Sequence, residues 1–109
     1  MDFAKQHGLL TEMVPGISSA LAVPANNHIP LTKRGVSESF WVITGTTKER
    51  KLSQDIHCAA KSSATVVILM GTRKLPKIMQ LFAAEGKGHL PVAVIQNGTT
   101  IHELSLIHI

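Results

Sequence analysis

The sequence predicts an α/β fold, on three observations. Residues 65–70, TVVILM, show no polar alternation over the length of a strand, the pattern of a strand covered on both faces of a parallel sheet. Leu75, Ile78, Met79 and Phe82 then recur at the i, i+3, i+4, i+7 spacing of an amphipathic helix, with Pro76 early and Gly86 at its end. Residues 91–96, PVAVIQ, supply the next strand, so strand, helix and strand follow in the order of a right-handed βαβ unit.

The other elements follow from local signals. Residues 1–7 read as the end of a helix with Gly8 as its cap, and residues 9–14 as a short strand. Pro15 has no backbone N–H and Gly16 can take positive φ, so that strand ends at Val-Pro-Gly. Small side chains at Ser18, Ser19, Ala20 and Ala22 suit the bare first turn of a helix over residues 17–26, which Pro24 should end or bend. Such a turn is either a ligand platform or an ordinary connection. Asn26, Asn27 and His28 lead through Pro30 into a loop. Residues 39–44, SFWVIT, read as a strand closed by Gly45. Residues 52–61 read as a helix with Ser53 near its cap and Ile56, Ala59 and Ala60 on one face. Cys58, beside two alanines, reads as a small buried residue.

Composition narrows the function classes. A chain of 109 residues is one domain by length, and its longest apolar run, residues 66–70, is far short of the roughly 20 residues of a membrane span. The opening MDFAKQHGLLTEM has no apolar core of a secretory leader, and the single cysteine forms no internal disulfide, which fits a cytoplasmic setting. Eleven basic and seven acidic side chains give +4, clustered at Lys33-Arg34, at residues 48–51 and at Arg73, Lys74 and Lys77. These clusters are either a solvated face or a site for anionic partners. No aromatic residue interleaves with them and tyrosine is absent, which argues against a stacking platform for single-stranded nucleic acid. Six scattered histidines show no metal-ligand spacing, and no hydrolase elbow, dinucleotide fingerprint or P-loop occurs. What remains is glycine at three strand ends, Gly16, Gly71 and Gly98, with Met70 before the second. Ligands of open α/β sheets gather beyond the carboxyl ends of strands, where Met70 could meet a flat ligand. Equally, Met70 could be core and the glycines plain turns.

The segments VPGISSA, IPLTKRGVSESFWVITG, TVVILMG and LPVAVIQNGTT, in this order and spacing, resemble the tetrapyrrole methylase family over about residues 1–100. The members it resembles most use S-adenosyl-L-methionine to methylate two carbons of uroporphyrinogen III, giving precorrin-2 for sirohaem or cobalamin. The near alternative is a sister methylase of later corrin intermediates, and the distant one a small basic nucleic-acid-binding module. The resemblance implies a two-domain, homodimeric α/β enzyme with a mostly parallel core sheet and flanking helices, the cofactor folded in the cleft between domains. It implies no metal, nucleic acid or membrane partner.

Carried over by residue, the family's first turn sets Ser18 and Ser19 against the cofactor, its Met-Gly strand end maps to Met70, and its Asn-Gly segment puts Gly98 near the adenine. Lys33-Arg34-Gly35 matches a segment usually written His-Arg-Gly. Arg34 would face substrate carboxylates, which a guanidinium pairs bidentately, while Lys33 stands in place of the imidazole. The resemblance assigns residues 1–35 to the end of an N-terminal domain and the inter-domain connection, and residues 36–103 to part of a C-terminal α/β domain. The proton-transfer residues and a Gly-Gly-Asp-Pro-like loop belong to family segments without a counterpart here, so no catalytic residue is assigned and the chain alone is expected to be inactive. Residues 104–109, LSLIHI, match the translation of a transposase adaptor used in sequencing libraries and are read as a non-native tail, the alternative being a genuine half-buried strand.

Overall fold

The structure, a computed structural model, describes residues 1–108. A short helix α1, Asp2–Gln6, ends before Gly8, whose φ of +69° turns the chain away. Residues 9–14 are not a strand: they run as irregular backbone with exposed side chains. Apolar content alone does not make a strand, because an extended segment needs a neighbouring strand to pair its N–H and C=O groups, and none lies beside residues 9–14 among the described residues.

Helix α2, Ser19–Asn26, begins where the Ser18 hydroxyl accepts the Ala20 N–H at 3.2 Å. Pro24 does not end it. The missing N–H forfeits only the bond to the carbonyl four residues back, and the Asn27 N–H still closes the last turn on the Val23 and Pro24 carbonyl oxygens at 3.2 and 3.1 Å.

Strands β1, Phe40–Thr44, and β2, Thr65–Leu69, pair in parallel, Phe40 with Thr65 through Thr44 with Leu69. Helix α3, Asp55–Lys61, makes the crossover between them. Ile56, Ala59 and Ala60 share its inner face and are almost fully buried. Cys58 is exposed rather than buried, because at 100° per residue it falls opposite Ile56 on that helix. A 3-10 turn, Thr72–Lys74, leads into α4, Leu75–Ala84, which lays Ile78 on the core formed with Ile43, Ile56 and Ala59. Lys87 reaches from beyond α4 to donate to the Ser62 carbonyl at the end of α3, tying the two helices' ends.

Strand β3, Val92–Gln96, pairs not with β2 but antiparallel with β4, Leu104–His108, from Val92 opposite His108 to Gln96 opposite Leu104. The parallel βαβ unit is therefore β1–α3–β2, one step earlier in the chain than the sequence suggests. Turn geometry accounts for the difference: Asn97 and Thr99 take φ of 53° and 67°, reversing the chain so that β3 meets a partner a few residues away. The α/β class stands, with one parallel and one antiparallel pair. Residue 109 of the segment read as a tail lies outside the described residues. The chain is elongated, 54 × 31 × 31 Å with a radius of gyration of 16.7 Å, against about 13 Å for a compact chain of this length.

Candidate functional site

The carboxyl ends of β1 and β2 meet backbone to backbone. The Gly45 N–H donates to the Leu69 carbonyl at 2.6 Å, and a Cβ on Gly45 would lie 2.6 Å from the Gly71 Cα and 2.9 Å from the Met70 oxygen. Only glycine fits there. Met70 itself takes φ of +56°, which swings the chain out of the strand and leaves its side chain 69% exposed. The structure thus decides between the two readings of Met70: it is a surface thioether at a strand end, not a core residue.

A second group of candidate residues gathers around α2. Ser18 and Ser19 are exposed at its start, the Ser18 oxygen accepting from Ala20 while its own O–H stays available to donate. Gly98 sits against the middle of this helix: a Cβ there would lie 2.5 and 2.7 Å from the two Val23 methyls. Ser19 precedes Val23 by four residues, about 6 Å along the axis on the same face, so the helix start and the Asn97-Gly98 turn share one side of α2. Glu103 fixes that turn. Its Oε2 accepts the Thr99 N–H at 2.6 Å and faces the Asn26 Nδ2 at 3.5 Å. The Thr100 hydroxyl donates to the Asn97 carbonyl at 2.7 Å and receives the His102 N–H at 3.2 Å. Val23, Asn26 and Glu103 escape sequence reasoning, the only signal being an acid at the end of a turn that starts Asn-Gly. Gly16, expected at a strand end, follows irregular backbone instead and stands in open space.

Arg34 lies elsewhere. Lys33 and Ser37 close a tight turn, with the Lys33 N–H on the Ser37 oxygen at 2.7 Å and the return bond at 2.9 Å, and Gly35 takes φ of +78° at its tip. The Ser37 hydroxyl receives the Thr65 N–H at 3.0 Å and donates to the Ser39 carbonyl at 2.9 Å, which pins the turn to the amino end of the β1/β2 pair. The length of β2, about 13 Å at roughly 3.3 Å per residue, separates that end from Met70. Arg34 is exposed, without a carboxylate in ion-pair range among the described residues. Two shallow grooves, of about 560 Å³ beside Leu21, His28 and Leu31 and about 410 Å³ beside Gly35, Ser37 and Ser63, flank these elements. Among the described residues no three His, Cys, Asp or Glu side chains gather, and no helix is long and apolar enough to cross a membrane.

The family model for Tetrapyrrole (Corrin/Porphyrin) Methylases matches residues 1–107. The chain belongs to the tetrapyrrole methylase family. It is 39% identical over 98 residues to the uroporphyrinogen-III C-methyltransferase of Methanocaldococcus jannaschii, covering 88% of this chain and 40% of that one. It is 40% identical over 101 residues to the enzyme of the same name from Bacillus subtilis, covering 90% of this chain and 21% of that one. A siroheme synthase of Methylobacillus flagellatus shares 36% over 96 residues, covering 87% of this chain and 21% of that one. The crystal structure of uroporphyrin-III C-methyl transferase from Thermus thermophilus, complexed with S-adenyl homocysteine, superposes with a TM-score of 0.77 at 25% identity, over 97% of this chain and 46% of that one. The chain thus spans less than half the length of these relatives.

Proposed function

We propose that this chain is part of an S-adenosyl-L-methionine-dependent methyltransferase that converts uroporphyrinogen III to precorrin-2, in the cytoplasm and as a homodimer. The observation that carries the reading is the joining of the Ser18–Ser19 helix start to the Asn97-Gly98 turn through Val23 and Glu103. Two segments that the family assigns to one cofactor meet on one face.

The exposed groups fit that ligand. The Ser18 and Ser19 hydroxyls offer donors and acceptors for its polar arms, the Met70 thioether suits the face of an adenine ring, and Gly98 lets backbone approach closely. When bound, the cofactor supplies an electrophilic methyl group on a sulfonium sulfur. The residues of this chain bind and orient; Arg34 holds substrate carboxylates from the amino end of β1/β2. Methyl transfer needs donor and acceptor carbon aligned in a closed site, so this wall alone does not turn over substrate.

A chimaera in which this chain replaces the matching segment of the Methanocaldococcus jannaschii relative tests the reading. Incubated with methyl-labelled cofactor and uroporphyrinogen III, it should form precorrin-2. A folded chimaera that transfers no methyl group, or that methylates only a later corrinoid, overturns the proposal.

A further inference from the structure

We propose that the carboxyl edge of the β1/β2 pair is a polycarboxylate-binding collar, formed by Lys48, Arg50, Arg73, Lys74 and Lys77, that holds the acidic side chains of the tetrapyrrole beside Met70. The inference rests on the proposed function and says where that substrate is gripped.

Two loops leave this edge side by side, held together by the Gly45–Gly71 contact. The first is tightly closed. Thr46 bridges Leu52, the Thr47 N–H donates to the Lys51 carbonyl at 2.7 Å, the Arg50 N–H to the Thr47 carbonyl at 2.9 Å, and the Ser53 N–H to the Gly45 carbonyl at 3.4 Å. Lys48, Glu49 and Arg50 therefore stand at its tip, Arg50 in the left-handed region at φ 59°. In the second loop the Lys74 N–H closes on the Gly71 carbonyl at 3.0 Å, which presents Arg73 and, in the first turn of α4, Lys77.

Residues 45–53 and 71–77 together hold six cations and one acid, so this edge alone carries more positive charge than the net +4 of the whole chain. The acid, Glu49, pairs with Lys51 at 3.4 Å. The other five cations have no carboxylate partner among the described residues. Like charges set this closely repel one another in the free protein, and a multivalent anion reverses the sign of that interaction.

The occupant is a polycarboxylate rather than a nucleic acid or a single phosphate. No aromatic side chain in either loop offers a base a stacking surface. The cations are divided between two loops, which suits several separated carboxylates, and Arg50 and Arg73 carry the planar fork that pairs with each. Met70 lies next to Gly71, so anything gripped here lies beside the proposed cofactor contact. A macrocycle with acids around its rim can meet this collar and Arg34 from opposite ends of β1/β2.

The test is fluorescence titration of uroporphyrin, the oxidised and stable form of the substrate, onto the 109-residue chain. Arg50→Gln/Arg73→Gln, both exposed, is compared with Lys5→Gln/Lys61→Gln, which removes equal charge elsewhere. The collar predicts about tenfold weaker binding for the arginine pair and under about twofold for the lysine pair. Equal losses in the two, or displacement of uroporphyrin by inorganic tripolyphosphate at equal concentration, overturn the proposal. In the chimaera, the arginine pair should raise KM for uroporphyrinogen with kcat nearly unchanged. An active chimaera with unchanged KM rejects the collar alone; an inactive chimaera with the binding difference intact rejects the activity and leaves the collar standing.

Discussion

Gly98 and Val23 meet where the β3–β4 turn touches α2, so closely that a methyl group on Gly98 would lie 2.5 Å from a Val23 methyl. Valine is stiff at χ1 and cannot swing aside cheaply. Gly98→Ala should therefore destabilise the chain by about 1–3 kcal/mol, and most of that loss should vanish in a Val23→Ala background. Chemical denaturation of the two single variants and the double variant gives the coupling. Additive effects would mean that the two elements do not touch.

The Gly45–Gly71 contact is less forgiving, because the atoms in the way are backbone. Gly45→Ala should cost about 1–3 kcal/mol or more and separate the two strand ends. Gly16→Ala, with nothing within 4 Å, should change stability by no more than about 0.5 kcal/mol. Urea midpoints of the pair decide the matter.

These contacts bear on how much the sequence discloses. The β2 run and the helix over Leu75–Ala84 are legible because each rests on local periodicity and its own stop signals. Residues 9–14 look equally apolar, yet a strand exists only with a partner, and no local pattern names one. The β3 partner is likewise settled by positive φ at Asn97 and Thr99, which Asn-Gly hints at and Thr99 does not. The proposed contacts Ser18, Ser19, Met70 and Gly98 come from family resemblance, whereas Glu103 finds Asn26 across 77 residues and Ser37 finds Thr65 across 28. Such contacts leave no mark at any sequence spacing.

Ser37 holds the Arg34 turn to the sheet through one hydroxyl. Ser37→Ala removes one of the two acceptors of the Thr65 N–H, which keeps its bond to the Ser39 carbonyl at 3.0 Å, at a cost of about 0.5–1 kcal/mol. Amide hydrogen exchange at Thr65 should speed up about twofold to fivefold, as that loss of free energy requires. Unchanged exchange would remove Ser37 as the anchor.

Glu103 plays the same part for the Gly98 turn. Glu103→Ala should free the Thr99 amide to exchange, while Glu103→Gln, which keeps an acceptor for it, should preserve most of the protection. Equal exchange in both variants would show that the ionised carboxylate itself is required.

The central proposal is that the start of α2, the end of β2 and the Asn97-Gly98 turn all contact one cofactor. NMR titration of the 109-residue chain with S-adenosylhomocysteine tests it most directly. Signals of Ser18, Ser19, Met70 and Gly98 should shift together with one dissociation constant weaker than micromolar, and Arg34 should stay still. Shifts confined to other residues, or none at millimolar ligand, would contradict it.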